Sequence, residues 1–113
     1  MRTITRDDIT QALERNEKIV FVDTLKEEVF TEGHLPDAVN IPVEKTARLA
    51  PRLLKDKAAH IVTYSANEKC TSAREATAIL EKLGYTNVMT YEGGKEEWQQ
   101  SGLPFDGVSA EAA

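Results

Sequence analysis

Apolar residues fill "KIVFVDT", residues 18–24, as a continuous β-branched block and not in alternation with polar ones. Such a block predicts a strand covered on both faces, and strands of that kind pair in parallel. "HIVTY" at 60–64 and "NVMTY" at 87–91 repeat the pattern. Between them Ala73, Ala76, Ile79, Leu80 and Leu83 recur at helical spacing, and Gly84 stands where a helix terminus favours a left-handed residue, which gives a strand–helix–strand unit. Upstream, Thr5 followed by Asp8 is a helix-start signature, and Ile9, Ala12 and Leu13 share one face of a helix expected over 6–15. "FTEGHLPDAVNIPV" carries Gly33, Pro36 and Pro42 and reads as a turn, a short strand over 38–41, and a second turn. Residues 44–55 are apolar at Leu49, Leu53 and Leu54, with Pro51 expected to break or restart any helix there. After Gly93 and Gly94, "KEEWQQSG" predicts a short helix with Trp98 packed inward, ended by Gly102 and Pro104.

Strands alternating with helices predict an α/β domain with a central, mostly parallel sheet of four to five strands flanked by helices. One domain over 1–106, followed by a loose tail at 107–113, accounts for the 113 residues without a repeat or linker. Charge changes the picture modestly. A net charge of −5 disfavours nucleic acid and anionic membranes as partners, and no apolar run reaches the length of a membrane span. The N-terminal "MRTITRDDIT" is charged where a signal peptide would be apolar, so the expected location is cytoplasmic.

Ligands of open α/β sheets gather at the carboxyl ends of the strands, which directs attention to residues 65–71, "SANEKCT". They hold the single cysteine, so no internal disulfide can form. Ser72 and Glu75 have the S-x-x-E form of a capping box, setting the helix start near residue 73 and Cys70 just outside its N-terminus. Free amides there lower a thiol's pKa and can cradle an oxyanion. Lys69 and Arg74 add positive charge and Glu68 opposes it. The plainer reading stays open beside this one: a lone cysteine before a helix also serves as a small filler, and Ser65 as a turn residue. Asp23, ending a buried strand, is expected to cap neighbouring amides, and His34, between Gly33 and Pro36, to make a local hydrogen bond. His60, Tyr91 and Trp98 read as structural. The histidines and the cysteine show no metal-ligand spacing, Gly93-Gly94 lacks a nucleotide-loop pattern, and no cofactor is expected.

Taken together, "IVFVDT", "FTEGHLPDAVNIP", "IVTYS", "AREATAILEKLGYTNVMTYEGG" and "EEWQQSGLP" resemble the rhodanese-like family, single-domain sulfurtransferase type, in the family's order and over nearly the whole chain. The resemblance implies a parallel sheet flanked by helices, with an active-site loop between Tyr64 and Ser72. It also implies a chemistry. A cysteine directly after that strand takes a sulfane sulfur from thiosulfate or a similar donor, forms a persulfide that loop amides stabilise, and passes the sulfur to a thiophilic acceptor. By position the family's nucleophile falls on Ser65, with Ala66, Asn67, Glu68, Lys69, Thr71 and Arg74 as substrate-binding surroundings and Asp23, His34 and Ser72 as support. The implied partners are a small sulfur-bearing anion and a thiol or persulfide acceptor, or a partner protein. Two departures stand out: the loop is about two residues longer than the common form, counting back from Gly84, and Leu25 stands where many members carry arginine. Cys70 matches a second cysteine that a subset of the family carries near the helix start.

A serine oxygen cannot replace a thiolate in persulfide transfer, because its pKa is far higher and it does not exchange sulfur. Three accounts of Ser65 and Cys70 follow: a sulfur carrier displaced to Cys70, a noncatalytic binding or regulatory module, or a serine introduced in place of the usual cysteine. A phosphatase or arsenate reductase would pair its thiolate with an arginine five residues on, whereas Arg74 follows Cys70 after three intervening residues.

Overall fold

The computed structural model describes residues 2–107. Four parallel strands, β1 (Val20–Asp23), β2 (Val39–Asn40), β3 (Ile61–Tyr64) and β4 (Val88–Tyr91), lie in the order β2-β1-β3-β4. The helices are α1 (Arg6–Glu14), α2 (Glu27–Glu32), α3 (Thr46–Leu53), α4 (Ser72–Lys82) and α5 (Gly94–Gln100), with a 3-10 turn at Val43–Lys45 ahead of α3. The fold is therefore the α/β arrangement that the continuous apolar blocks predict. The registers Asp23↔Tyr64 and Tyr64↔Tyr91 bring the carboxyl ends of the three longer strands level, so their following loops share one edge.

Side-chain alternation sorts the apolar blocks into two cores. On one face Phe21, Val62, Tyr64 and Tyr91 pack with Ile4 and Ile9 beside α1 and Trp98 of α5. On the other, Val22, Ile61 and Val88 pack with Ala50, Leu54 and Leu80 beneath α3 and α4. Both faces of the sheet are buried, which is why the strands lack a polar alternation. Thr63 and Thr77 meet at 2.8 Å, and Thr77 and Thr90 at 2.7 Å, so hydroxyls buried between α4 and the sheet satisfy one another.

The start of α1 forms as its sequence predicts: the Asp8 amide donates to Thr5 Oγ1 at 3.1 Å and the Asp8 carboxylate accepts from the Thr5 amide at 3.5 Å. Two expectations change. Helix α3 runs through Pro51, because the proline removes one amide from a helix that ends two residues later at Leu53. Helix α2 had no counterpart in the apolar pattern, since none of its residues is buried. The tail expected at 107–113 lies outside the described residues from 108 onward.

Candidate functional site

The loop from Ser65 to Thr71 leaves the end of β3 and curls above the sheet edge. Ser65 is 3% exposed and continues the buried strand, whereas Cys70 is half-buried. The loop is pinned from below by the first turn of α5: the Lys95 amide donates to the Ser65 carbonyl and the Glu96 amide to the Ala66 carbonyl, both at 2.9 Å. Gly94 permits that approach. It sits at φ +64°, and a Cβ there would lie 2.5 Å from the Ser65 carbonyl oxygen. Above, the Cys70 amide donates to the Asn67 carbonyl at 3.1 Å and the Lys69 amide to Asn67 Oδ1 at 3.0 Å, folding the loop back on itself. Asn67 Nδ2 reaches Glu96 at 3.3 Å.

This folding brings Cys70 back to the start of its own loop. Burial pushes the thiol's pKa up, but hydrogen bonding from the Ser72 hydroxyl and amide, the Ser65 hydroxyl and the Ala66 amide outweighs it and holds the thiol below its ordinary value. Sγ lies 3.5 Å from Ser72 Oγ, to which the neutral thiol donates. A serine and a cysteine five positions apart in sequence thus lie close enough for the Ser65 hydroxyl to help lower the Cys70 pKa, behind the larger effect of Ser72.

The capping box expected from Ser72 and Glu75 does not form. Ser72 is the first helical residue and Thr71 the N-cap, and the Glu75 carboxylate accepts instead from the Thr71 hydroxyl at 3.0 Å. Ser72 is released from capping because its hydroxyl is engaged with Cys70. The positive charges assigned to the loop are placed differently as well. Lys69 and Glu68 are exposed at its tip, and the Arg74 guanidinium is held 3.2 Å from Glu92.

Beneath the loop, Asp23 is fully buried: Oδ1 accepts from the Leu25 amide at 2.9 Å and Oδ2 from the Tyr64 hydroxyl at 2.8 Å. Tyr64 Oη accepts from the Leu35 amide at 3.1 Å, so one phenol ties β3, the turn after β1 and the segment after α2 together just before Ser65. Burial raises the Asp23 pKa despite these donors. His34 makes the local bond expected of it, Nδ1 donating to the Phe30 carbonyl at 2.8 Å while its ring stacks on Phe30.

Two participants escaped the sequence reading, Tyr64 and Lys95. Lys95 is 8% exposed and donates from Nζ to the Val29 carbonyl at 3.2 Å. Burial lowers its pKa, partly offset by the carboxylates of Asp23 and Glu32. The signal was its spacing to Trp98, three residues on and on the same inward face of α5. A hollow of about 410 Å³ opens beside the loop, lined among others by Leu25, Val29, Ala66, Asn67 and Lys95.

A parallel α/β sheet with a half-buried cysteine in the loop at the carboxyl end of β3 defines the class: an α/β domain with a cysteine-bearing loop at its strand ends. Residues 5–101 match the rhodanese-like domain family, and the chain belongs to it. It is 33% identical over 103 residues to an HTH-type transcriptional regulator of Mycobacterium tuberculosis, covering 91% of this chain and 44% of that protein. It thus spans less than half the length of that relative. With the thiosulfate sulfurtransferase GlpE of Pseudomonas savastanoi pv. phaseolicola it shares 32% identity over 89 residues, 79% of each chain. Among solved structures, the BH2092 protein of Bacillus halodurans superimposes with a TM-score of 0.85 at 28% identity, covering 96% of this chain and 78% of that one.

Proposed function

We propose that this domain is a rhodanese-type sulfurtransferase, or persulfide carrier, in which Cys70 carries the sulfur and Ser65, at the family's nucleophile position, assists as a hydrogen-bond donor. One observation supports the reading: Cys70 stands just ahead of α4 with its Sγ 3.5 Å from Ser72 Oγ, and hydrogen bonding from Ser72, with smaller contributions from the Ser65 hydroxyl and the Ala66 amide, holds its pKa down against the effect of burial. The Cys70 thiolate attacks the sulfane sulfur of thiosulfate. A sulfur–sulfur bond forms, the bond to the SO3 group breaks, and sulfite leaves with the electron pair. The persulfide keeps one negative charge, which the same donors stabilise. A thiophilic acceptor such as cyanide or a thiolate then takes the terminal sulfur, and Cys70 departs as the thiolate it began as. Thiocyanate formation from thiosulfate and cyanide tests the proposal. Turnover by the parent chain and none by Cys70→Ala is expected; turnover that survives Cys70→Ala overturns it.

A second reading is favoured by the match to a protein named as a transcriptional regulator. In it the domain binds or reports sulfur species for a larger protein and turns nothing over. Stoichiometric labelling of Cys70 without thiocyanate production would select this reading.

A further inference from the structure

Lys95 is buried, yet its charge is incompletely matched. Of the three donors of its ammonium, one reaches the Val29 carbonyl at 3.2 Å, and among the described residues no other acceptor is hydrogen-bonded to it and no carboxylate comes within 4.0 Å. The Phe105 ring, with its centroid 5.9 Å away, offers only a weak further contact. Asp23 and Glu32 attract the charge through space without filling its donors. A cation in such a place is costly unless an anion completes its surroundings.

Its position supplies a reason to keep it. Among the described residues that line the hollow beside the loop, Lys95 alone carries a positive charge; Leu25 and Val29 are apolar there, and Glu96 repels anions. Arg74 is occupied by Glu92. Asn67 joins the hollow to the cysteine, lining the one while its carbonyl accepts from the Cys70 amide at 3.1 Å, and Ala66 of the same loop lines the hollow beside it. The Lys95 backbone is bonded to Ser65, so ammonium and loop keep a fixed relation.

We propose that Lys95 determines donor specificity, binding the oxyanion end of a thiosulfate-type donor in this hollow while the donor's sulfane sulfur meets Cys70. The inference rests on the proposed sulfurtransferase reading. In the step it serves, Cys70–S⁻ and S–SO3²⁻ give Cys70–S–S⁻ and SO3²⁻. Charge is conserved, and the leaving sulfite is the fragment that Lys95 holds. Lys95 is a binding residue here and transfers no proton.

The test compares Lys95→Met and Lys95→Arg with the parent chain, using thiosulfate and the cationic donor cysteamine persulfide. Lys95→Met should raise KM for thiosulfate by about tenfold or more while changing kcat far less, as expected for loss of a hydrogen bond to a charged group. Lys95→Arg should restore most of the affinity, and both changes should affect the cationic donor far less than thiosulfate. Equal losses with both donors, or an unchanged KM for thiosulfate, would overturn the assignment. A readout independent of turnover is the titration of sodium thiosulfate into the Cys70→Ala chain, followed by amide shifts at Leu25 and Ala66. Saturable shifts that vanish when Lys95→Met is added support the proposal; shifts that persist, or none even with Lys95 present, refute it. Lys95-dependent binding together with an unlabelled Cys70 in the parent chain would keep the oxyanion site but overturn both its role in donor choice and the catalytic reading.

Discussion

The Ser65 hydroxyl is one of the groups that lower the Cys70 pKa, and Ser65→Ala removes it while leaving the larger contribution of Ser72 and that of the Ala66 amide in place. A hydrogen bond to a charged acceptor contributes about 1.5–3 kcal/mol when dry. Cys70 is only half-buried, and water entering the space of the lost hydroxyl screens part of this, so about 1 kcal/mol is the appropriate magnitude. That corresponds to a roughly fivefold smaller ratio of thiolate to thiol at any given pH. The rate of Cys70 alkylation by iodoacetamide, measured against pH, reads the change directly. The Ser65→Ala profile should move toward alkaline pH, with the rate on its acidic limb down by roughly fivefold and the alkaline plateau retained. A structural disturbance would lower the plateau too. Superimposable profiles for parent and variant would refute the claim that Ser65 supports the thiolate.

Gly94→Ala should loosen the loop, because a Cβ at φ +64° would lie 2.5 Å from the Ser65 carbonyl; a loss of about 2 kcal/mol or more in urea unfolding, with slower Cys70 labelling, is expected, and parent-like values would contradict the pinning of the loop. Asp23 keeps its proton to higher pH in the folded chain than in the unfolded one, so folding binds a proton between the ordinary aspartate value and the raised one. Stability should therefore fall as pH rises through that window, and urea unfolding of Asp23→Asn across it should show a flatter slope than the parent. Ser65→Cys combined with Cys70→Ala should gain thiocyanate production over Cys70→Ala alone, since the family's nucleophile position keeps its loop; a folded variant with no gain would argue against an intact sulfur pocket.

The order of elements was legible because strands buried on both faces write continuous apolar blocks, as in residues 18–24, 60–64 and 87–91. Helix α2 was not, because a short surface helix without a buried face leaves no periodicity. Cys70 could be placed before a helix from sequence, but its return to Ser65 depends on the Asn67 turn and on α5 pulling the loop down, both tertiary effects. The Ser72–Glu75 pattern gave the wrong cap because Thr71 competes for the same carboxylate and Cys70 for the serine hydroxyl. Lys95 went unremarked because a charged residue on a helix is ordinarily solvated, and its burial follows from packing beneath α2, which no local pattern announces.

The central claim is that Cys70 is the atom on which sulfur travels. Intact mass after incubation with excess thiosulfate and removal of small molecules, under nonreducing conditions, tests it most directly. The account predicts a gain of one sulfur atom, reversed by cyanide, mapped to Cys70 and lost in Cys70→Ala. An unchanged mass in the parent chain, or a gain that persists in Cys70→Ala, would contradict it.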